Sequence, residues 1–180
     1  MYKKVNRVHS FTAISSPAAR VLILGSMPGK RSLEMQQYYA HPQNAFWRIM
    51  AHLLKFNPGL SYAERVECVL KSGVALWDVL EACERPSSLD SDIVESSIIA
   101  NDFPAFFGVH PLIKHVFCNG AKSFQSFHRH VRPMLGAKQA EIPLTRLPST
   151  SPAHASMTFQ AKLEAWRAVQ SFCVKDASVK

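Results

Sequence analysis

The run Tyr38-Tyr39-Ala40-His41-Pro42-Gln43-Asn44-Ala45-Phe46-Trp47 follows closely on the turn Gly25-Ser26-Met27-Pro28-Gly29. Together they supply aromatic rings, a carboxamide and glycine-bounded backbone amides. Such a set can stack on, pair with and enclose a flat, polar, uncharged heterocycle. A second cluster, Leu147-Pro148-Ser149-Thr150-Ser151-Pro152-Ala153-His154, adds hydroxyls and a proline-rich turn whose amides suit phosphate. Each part also has a plainer use. Gly25 and Gly29 serve a tight strand-to-helix turn, Tyr38 and Tyr39 pack, and Asn44 caps a helix beginning at Ala45.

Several chemistries are excluded by what is missing. The stretch from Gly25 to Ser32 lacks the Gly-Lys-Ser/Thr ending of a phosphate-binding loop, and no Gly-x-Gly-x-x-Gly fingerprint occurs. Ser26 and Ser149 sit in no nucleophile elbow. Asp78 is the only acid near a predicted strand end, so the paired carboxylates of ordinary sugar hydrolases are not expected. Cys68, Cys83, Cys118 and Cys173 lie far apart with no zinc-like spacing, and read as free core thiols. No metal and no organic cofactor is implied. His128 and His130 read as surface residues.

The elements that must position these groups alternate. Short apolar runs at 21–24, 74–79, 113–118 and 142–147 predict strands. Helical spacing marks 45–54, 62–71 (opened by the Ser61/Glu64 capping box and closed by Gly73), 121–131 and about 158–174. Alternation of this kind predicts a three-layer α/β/α sandwich with a parallel sheet, ligands gathering past the strands' carboxyl ends. At 180 residues, with no repeat or linker, residues 1–180 read as one domain. No apolar stretch approaches a membrane span and no signal-like core follows Met1, which predicts a cytoplasmic protein without membrane partners.

The net charge of +8 is unevenly spread. Residues 1–20 carry Lys3, Lys4, Arg7 and Arg20 with no acid. Residues 103–180 hold ten Lys/Arg against Glu141, Glu164 and Asp176, whereas 78–102 holds seven acids and only Arg85 as a base. Most of the remaining surface is positive, which suits a polyanion such as nucleic acid.

The segments Gly25-Ser26-Met27-Pro28-Gly29, His41-Pro42-Gln43-Asn44-Ala45-Phe46-Trp47 and Pro148-Ser149-Thr150-Ser151-Pro152-Ala153 resemble the signatures of the uracil-DNA glycosylase superfamily, in particular its hypoxanthine-DNA (deoxyinosine) glycosylase branch. Ala75-Leu76-Trp77-Asp78-Val79-Leu80, Ser88-Leu89-Asp90-Ser91, Asn101-Asp102-Phe103 and Asn119-Gly120 recur in the order of that branch. The resemblance implies a central four-stranded parallel sheet and a monofunctional glycosylase, nucleoid-associated when on DNA, that cuts deaminated bases from double- or single-stranded DNA as a monomer. By position, it assigns catalysis to Asn44. Base binding falls to Gly25, Ser26, Met27, Tyr39 (stacking) and Asn119 (edge reading), and DNA contact to Ser149 and Ser151. Lys30 and Arg31, basic residues flanking the first motif, and His154 beside the last are read as further DNA contacts.

Departures from the superfamily pattern sharpen these expectations. Met27 stands where most branches carry an Asp, Asn or Glu that handles water, and the hypoxanthine branch shares this feature. Leu147 replaces the His of the family 1 uracil enzymes, and Ser151 replaces an intercalating Leu. A mismatch-specific uracil-DNA glycosylase, a silent nucleic-acid-binding module and an enzyme acting on free nucleosides are the competing readings.

Overall fold

The computed structural model describes residues 7–174. Lys3, Lys4, Lys175, Asp176 and Lys180, counted above in the charge pattern, lie outside them, as does the start of the stretch after Met1 read for a signal. In chain order the strands are β1 (Arg7–His9), β2 (Val21–Gly25), β3 (Val74–Asp78), β4 (Leu80–Glu84), β5 (Ile99–Ala100), β6 (His115–Asn119) and β7 (Leu144–Leu147). The α-helices are α1 (Lys30–Met35), α2 (Phe46–Leu54), α3 (Tyr62–Lys71), α4 (Phe103–Val109), α5 (Ala121–Ser126), α6 (Ala137–Ala140) and α7 (Phe159–Trp166). No helix among the described residues is long and apolar enough to cross a membrane.

Strands β3-β2-β6-β7 form the expected four-stranded sheet, all pairs parallel. Every residue of β2 is buried, as in a strand covered on both faces. Its side chains alternate between two cores. Val21 and Ile23 join Phe46, Ile49, Leu163 and Trp166 beneath α2 and α7, while Leu22 and Leu24 join Phe103, Phe107, Phe127 and Val131 on the other face. Burying each such side chain contributes about 1.5–3 kcal/mol, so the sheet is clamped from both sides. The capping box at Ser61 forms as expected, and Gly73 takes φ +75°, which a glycine adopts without strain.

Several boundaries differ from the sequence expectation. The fourth strand starts at Leu144, not at 142, because Pro143 has no N–H to donate and offers only its carbonyl, to Val116. The third starts at His115, since Ile113 is still in a turn bonded to His110. The helix expected over 121–131 is α-helical only to Ser126, continues as a π turn over Phe127–Val131, and then meets the proline-containing turn Arg132–Met134. The last helix tightens to a 3₁₀ form over Arg167–Phe172. His130 is half-buried and sits 3.9 Å from Glu95, so only His128 is a plain surface residue. A second, antiparallel sheet, β1-β4-β5, is built largely from the acidic block.

Candidate active site

Strand register sets the level of the site. Gly25 pairs with Asp78, Leu24 with Cys118 and Asn119 with Leu147, so the carboxyl ends of all four parallel strands finish together. From β2 the chain passes to β3 on one side while β6 lies on the other, which makes the β2/β6 boundary a switch point where a crevice opens. A cleft of about 500 Å³ occupies that place. It gathers Asn44, Gly25, Ser26, Met27, Tyr39 and Asn119 with Lys30, Arg31, Ser149, Ser151 and His154, drawn from four separated segments.

Thr150 ties two of those segments together. Its hydroxyl accepts a bond from the Asn119 Nδ2 at 2.8 Å, its N–H donates to Asn119 Oδ1 at 2.9 Å, and its carbonyl accepts the Ala45 N–H at 3.0 Å. A backbone N–H can only donate, so the Asn119 carboxamide is locked with Oδ1 toward Thr150. Gly120, at φ +99°, turns the chain directly beneath Ser149, where any Cβ would approach that residue's Cβ at 3.0 Å. Ser149 and Ser151 bend the loop further: the Ser149 hydroxyl accepts the Ser151 N–H, and the Ser151 hydroxyl accepts that of Ala153.

Tyr39 and Asn44 are held by the other segment. Tyr38 is buried and anchors it, taking the Trp47 indole N–H on its carbonyl and giving its own N–H to the Tyr62 hydroxyl. Tyr39 has φ +56°, a left-handed conformation that a bulky residue adopts only when its surroundings impose it. One ring face stacks on Phe46 at 3.9 Å and 25°. Asn44 uses Oδ1 to accept the Phe46 N–H at 3.0 Å, which starts α2 one residue later than expected and leaves Nδ2 and one lone pair of Oδ1 for the cleft. Helix capping and cleft lining therefore coexist in this residue.

Acids enter the site more than the sequence suggested. Asp78 is only 3% exposed and lines the cleft, its Oδ2 making no hydrogen bond among the described residues. Burial pushes its carboxyl up to about 7; the Ser10 hydroxyl opposes this, the Asp90 charge adds to it, and Arg85 opposes it. A Cβ on Gly25 would stand 2.3 Å from Asp78 Oδ1 and 3.3 Å from the Tyr39 hydroxyl, so glycine is what lets these groups meet. The Tyr39 Oη is itself buried without a hydrogen-bond partner among the described residues. Asn119 lies near enough to favour its ionised form without completing a bond, yet burial dominates and holds the phenol well above its usual range.

Asp90, from the Ser88–Ser91 segment, faces the cleft and accepts the Ser26 hydroxyl at 2.7 Å. Enclosure raises its carboxyl, although its surface remains open to solvent in the cleft. The expectation of a cleft poor in carboxylates is thus corrected: chain folding brings Asp90 beside Ser26, 64 positions away. Arg85 lies buried behind the first turn and donates to the Pro28 carbonyl at 2.5 Å. Met27 packs in the core with 6% exposure.

At the rim, Lys30 and Arg31 are exposed, Arg31 sharing a surface pair with Glu34 at 3.4 Å. His154 is half-buried, its carbonyl bonded by the Lys162 ammonium at 2.7 Å. No group of three or more His, Cys, Asp or Glu able to hold a metal occurs among the described residues.

Fold and cleft define an α/β protein with a polar, aromatic-lined cleft at the carboxyl edge of a parallel sheet, beside the exposed Lys30 and Arg31. The chain belongs to the uracil DNA glycosylase superfamily, whose family model matches residues 12–170. A hypoxanthine DNA glycosylase of Methanosarcina acetivorans is 32% identical over 88% of this chain and 95% of its own length. One of Methanosarcina barkeri is 34% identical over 63% of this chain and 71% of its own. A solution NMR structure from M. acetivorans, determined under the name of a candidate uracil DNA glycosylase, superposes with a TM-score of 0.76 at 30% identity, covering 92% of this chain and 97% of that one. As a member of this superfamily the chain is a DNA glycosylase, with DNA as its substrate.

Proposed function

We propose that the protein hydrolyses the bond between base and deoxyribose at hypoxanthine in duplex DNA, with weaker action on uracil or xanthine, leaving an abasic site. The observation that carries this reading is the convergence at one strand edge of a constrained tyrosine, two carboxamides and a buried carboxyl. The relatives named for hypoxanthine add weight to the choice of base.

The damaged nucleotide rotates out of the duplex and its base lies against the ring face of Tyr39 opposite Phe46. Asn119 reads the base edge with the one Nδ2 hydrogen that Thr150 leaves free, which donates to the hypoxanthine carbonyl. The bond from the base nitrogen to C1′ breaks with both electrons passing to the base, and the sugar becomes an oxocarbenium ion. Asp78 in its acid form, which burial favours, gives its proton to a ring nitrogen of the departing purine. Water adds to C1′ from the side of Asn44, which accepts one of its O–H groups. A neutral amide is too weak a base to deprotonate this water early, so the water adds late, to the oxocarbenium ion, and the proton it then releases restores Asp78 to its acid form.

The test uses duplexes carrying a single hypoxanthine, uracil, xanthine or normal base, incubated with the protein and then treated with alkali to break abasic sites. Cleavage at hypoxanthine supports the reading. Cleavage at uracil alone makes the protein a uracil-specific member, and binding without cleavage makes it a silent DNA-binding module.

A further inference from the structure

A smaller cavity of about 230 Å³ adjoins the cleft and shares Tyr39, His41 and Asn44 with it. Its wall is completed in part by Arg48, Arg65 and Trp47, and none of its lining residues is a carboxylate. Neither arginine is within 4 Å of an acid among the described residues, although each is held in place. The Arg65 guanidinium lies over the Trp47 ring at 5.1 Å, and that of Arg48 over the Phe159 ring at 4.2 Å. The Arg65 Nε is buried with no acceptor among the described residues, which leaves the charge of that group without a counter-ion among them.

Two guanidinium groups fixed by aromatic faces and left unpaired beside a polar cavity suit an anion, and phosphate above others, because their planar donor forks match its oxygens. Position identifies which phosphate. The residues common to both cavities are those past which a strand must run once its nucleotide has entered the cleft. The Ser88–Ser91 side of the cleft carries Asp90, which repels phosphate; the smaller cavity carries only positive and neutral groups. Resting on the glycosylase reading above, we propose that Arg48 and Arg65 bind a backbone phosphate of the damaged strand adjacent to the flipped nucleotide, anchoring the strand across Tyr39 and Asn44.

The experiment measures binding, by fluorescence anisotropy, of duplexes whose lesion is 2′-fluorodeoxyinosine, which resists base loss. In successive duplexes one phosphate of the lesion strand is replaced by a neutral methylphosphonate. Wild type loses affinity at particular positions near the lesion. The Arg48→Gln/Arg65→Gln variant becomes indifferent at one of those positions alone, and its salt dependence flattens by about one unit in log–log slope, as for one lost phosphate contact. The Arg48→Lys/Arg65→Lys variant keeps the slope, and the single Arg48→Gln variant, altered on an exposed face, guards against misfolding at Arg65. An unchanged map and slope in the glutamine variant overturn the proposal. So does competition by inorganic phosphate, at constant ionic strength, that weakens wild type but not the variant while the maps coincide; the cavity then takes a free anion. Because uncleavable DNA is used, a correct map without base release from ordinary substrate fails the glycosylase reading alone, and absence of duplex binding fails both.

Discussion

Asn119 and Thr150 grip each other at both ends of one carboxamide, at 2.8 and 2.9 Å across 31 positions of sequence. The pairing fixes the polarity that Asn119 presents to the cleft and ties the strand end of β6 to the loop of residues 148–153. Thr150→Val removes the hydroxyl contact and keeps the N–H contact, so the amide stays oriented. Base release by Thr150→Val is expected to fall less than tenfold. Asn119→Ala, which removes reader and tie together, is expected to lose more than about tenfold, the lower end of what a positioned group supplies. Single-turnover release from matched duplexes checks both, and equal losses would make Asn119 a structural tie only.

Asn44 permits a separation of roles. Asn44→Ala loses the bond to the Phe46 N–H, which costs about 1 kcal/mol of stability, and is expected to lower base release by at least about tenfold. Asn44→Asp keeps the acceptor at the start of α2, where a negative charge is also favoured, so its melting temperature should match or exceed that of wild type. Its release rate should still differ, because a carboxylate is a stronger acceptor for the water's O–H than a neutral carboxamide. Thermal melts read beside single-turnover rates decide it; loss of activity that only tracks loss of stability would reduce Asn44 to a cap.

The fold was legible where one face or both faces of an element are uniformly apolar. Strands β2 and β3 and helix α2 announce themselves in this way, and the capping box at Ser61 is local chemistry that needs no tertiary context. The β1-β4-β5 sheet was not legible, because Leu80–Glu84 mixes acids with buried Leu80, Ala82 and Cys83 over too few residues to give a clear period. Asp90 was missed for another reason. Its place beside Ser26 depends on the path of the loop after β4, which periodicity does not encode, although its recurrence in the resemblance was a usable signal. Asp78 was visible as an acid at a strand end, whereas its burial followed only from the glycine beside it.

Asp78 should leave a pH signature. Its folded carboxyl titrates near 7 against an ordinary 3.8, so the folded state binds the proton more tightly than the unfolded chain. Stability from this group is therefore fully present below about pH 4 and is lost as pH rises through 7. Asp78→Asn should raise the melting temperature at pH 8 and change it little at pH 4, the gain being at most on the order of a few kcal/mol. Base release should fall as pH rises above about 7, and this limb should vanish in Asp78→Asn along with most of the rate. The groups around Asp78 are Ser10, Asp90, Arg85, Tyr38 and Tyr39, of which Asp90 is the other carboxyl. Persistence of the limb in Asp78→Asn would assign it to Asp90.

Gly25 fixes the distance at which these groups meet. Gly25→Ala places a methyl group 2.3 Å from Asp78 Oδ1, closer than any real contact, with Tyr39 Oη at 3.3 Å behind it. Asp78 is buried and short, so the backbone of β2 or β3 must shift. A cost of about 1–3 kcal/mol, as for other overpacked cores, is expected in denaturant melts, together with loss of base release. Gly29→Ala, where a Cβ meets nothing within 4 Å, should leave stability close to wild type and serves as the control.

Selection between hypoxanthine and adenine follows from the locked amide. Hypoxanthine presents a carbonyl and a ring N–H where adenine presents an amine and a ring acceptor, so the two edges have opposite polarity. A freely rotating carboxamide would pair with either by turning over. Asn119 cannot turn over, because Oδ1 is held by the Thr150 N–H. Hypoxanthine should therefore be released and adenine not measurably, since a buried mismatch of donors and acceptors is rejected far more strongly than a mere change of size. Asn119→Asp removes the donor from that fixed edge, and hypoxanthine release should fall while binding to undamaged duplex, carried by phosphate contacts, stays within about twofold. Competition between the two bases in otherwise identical duplexes gives the ratio directly, and adenine release by wild type at a rate comparable with hypoxanthine would show that Asn119 does not set the polarity of the pocket.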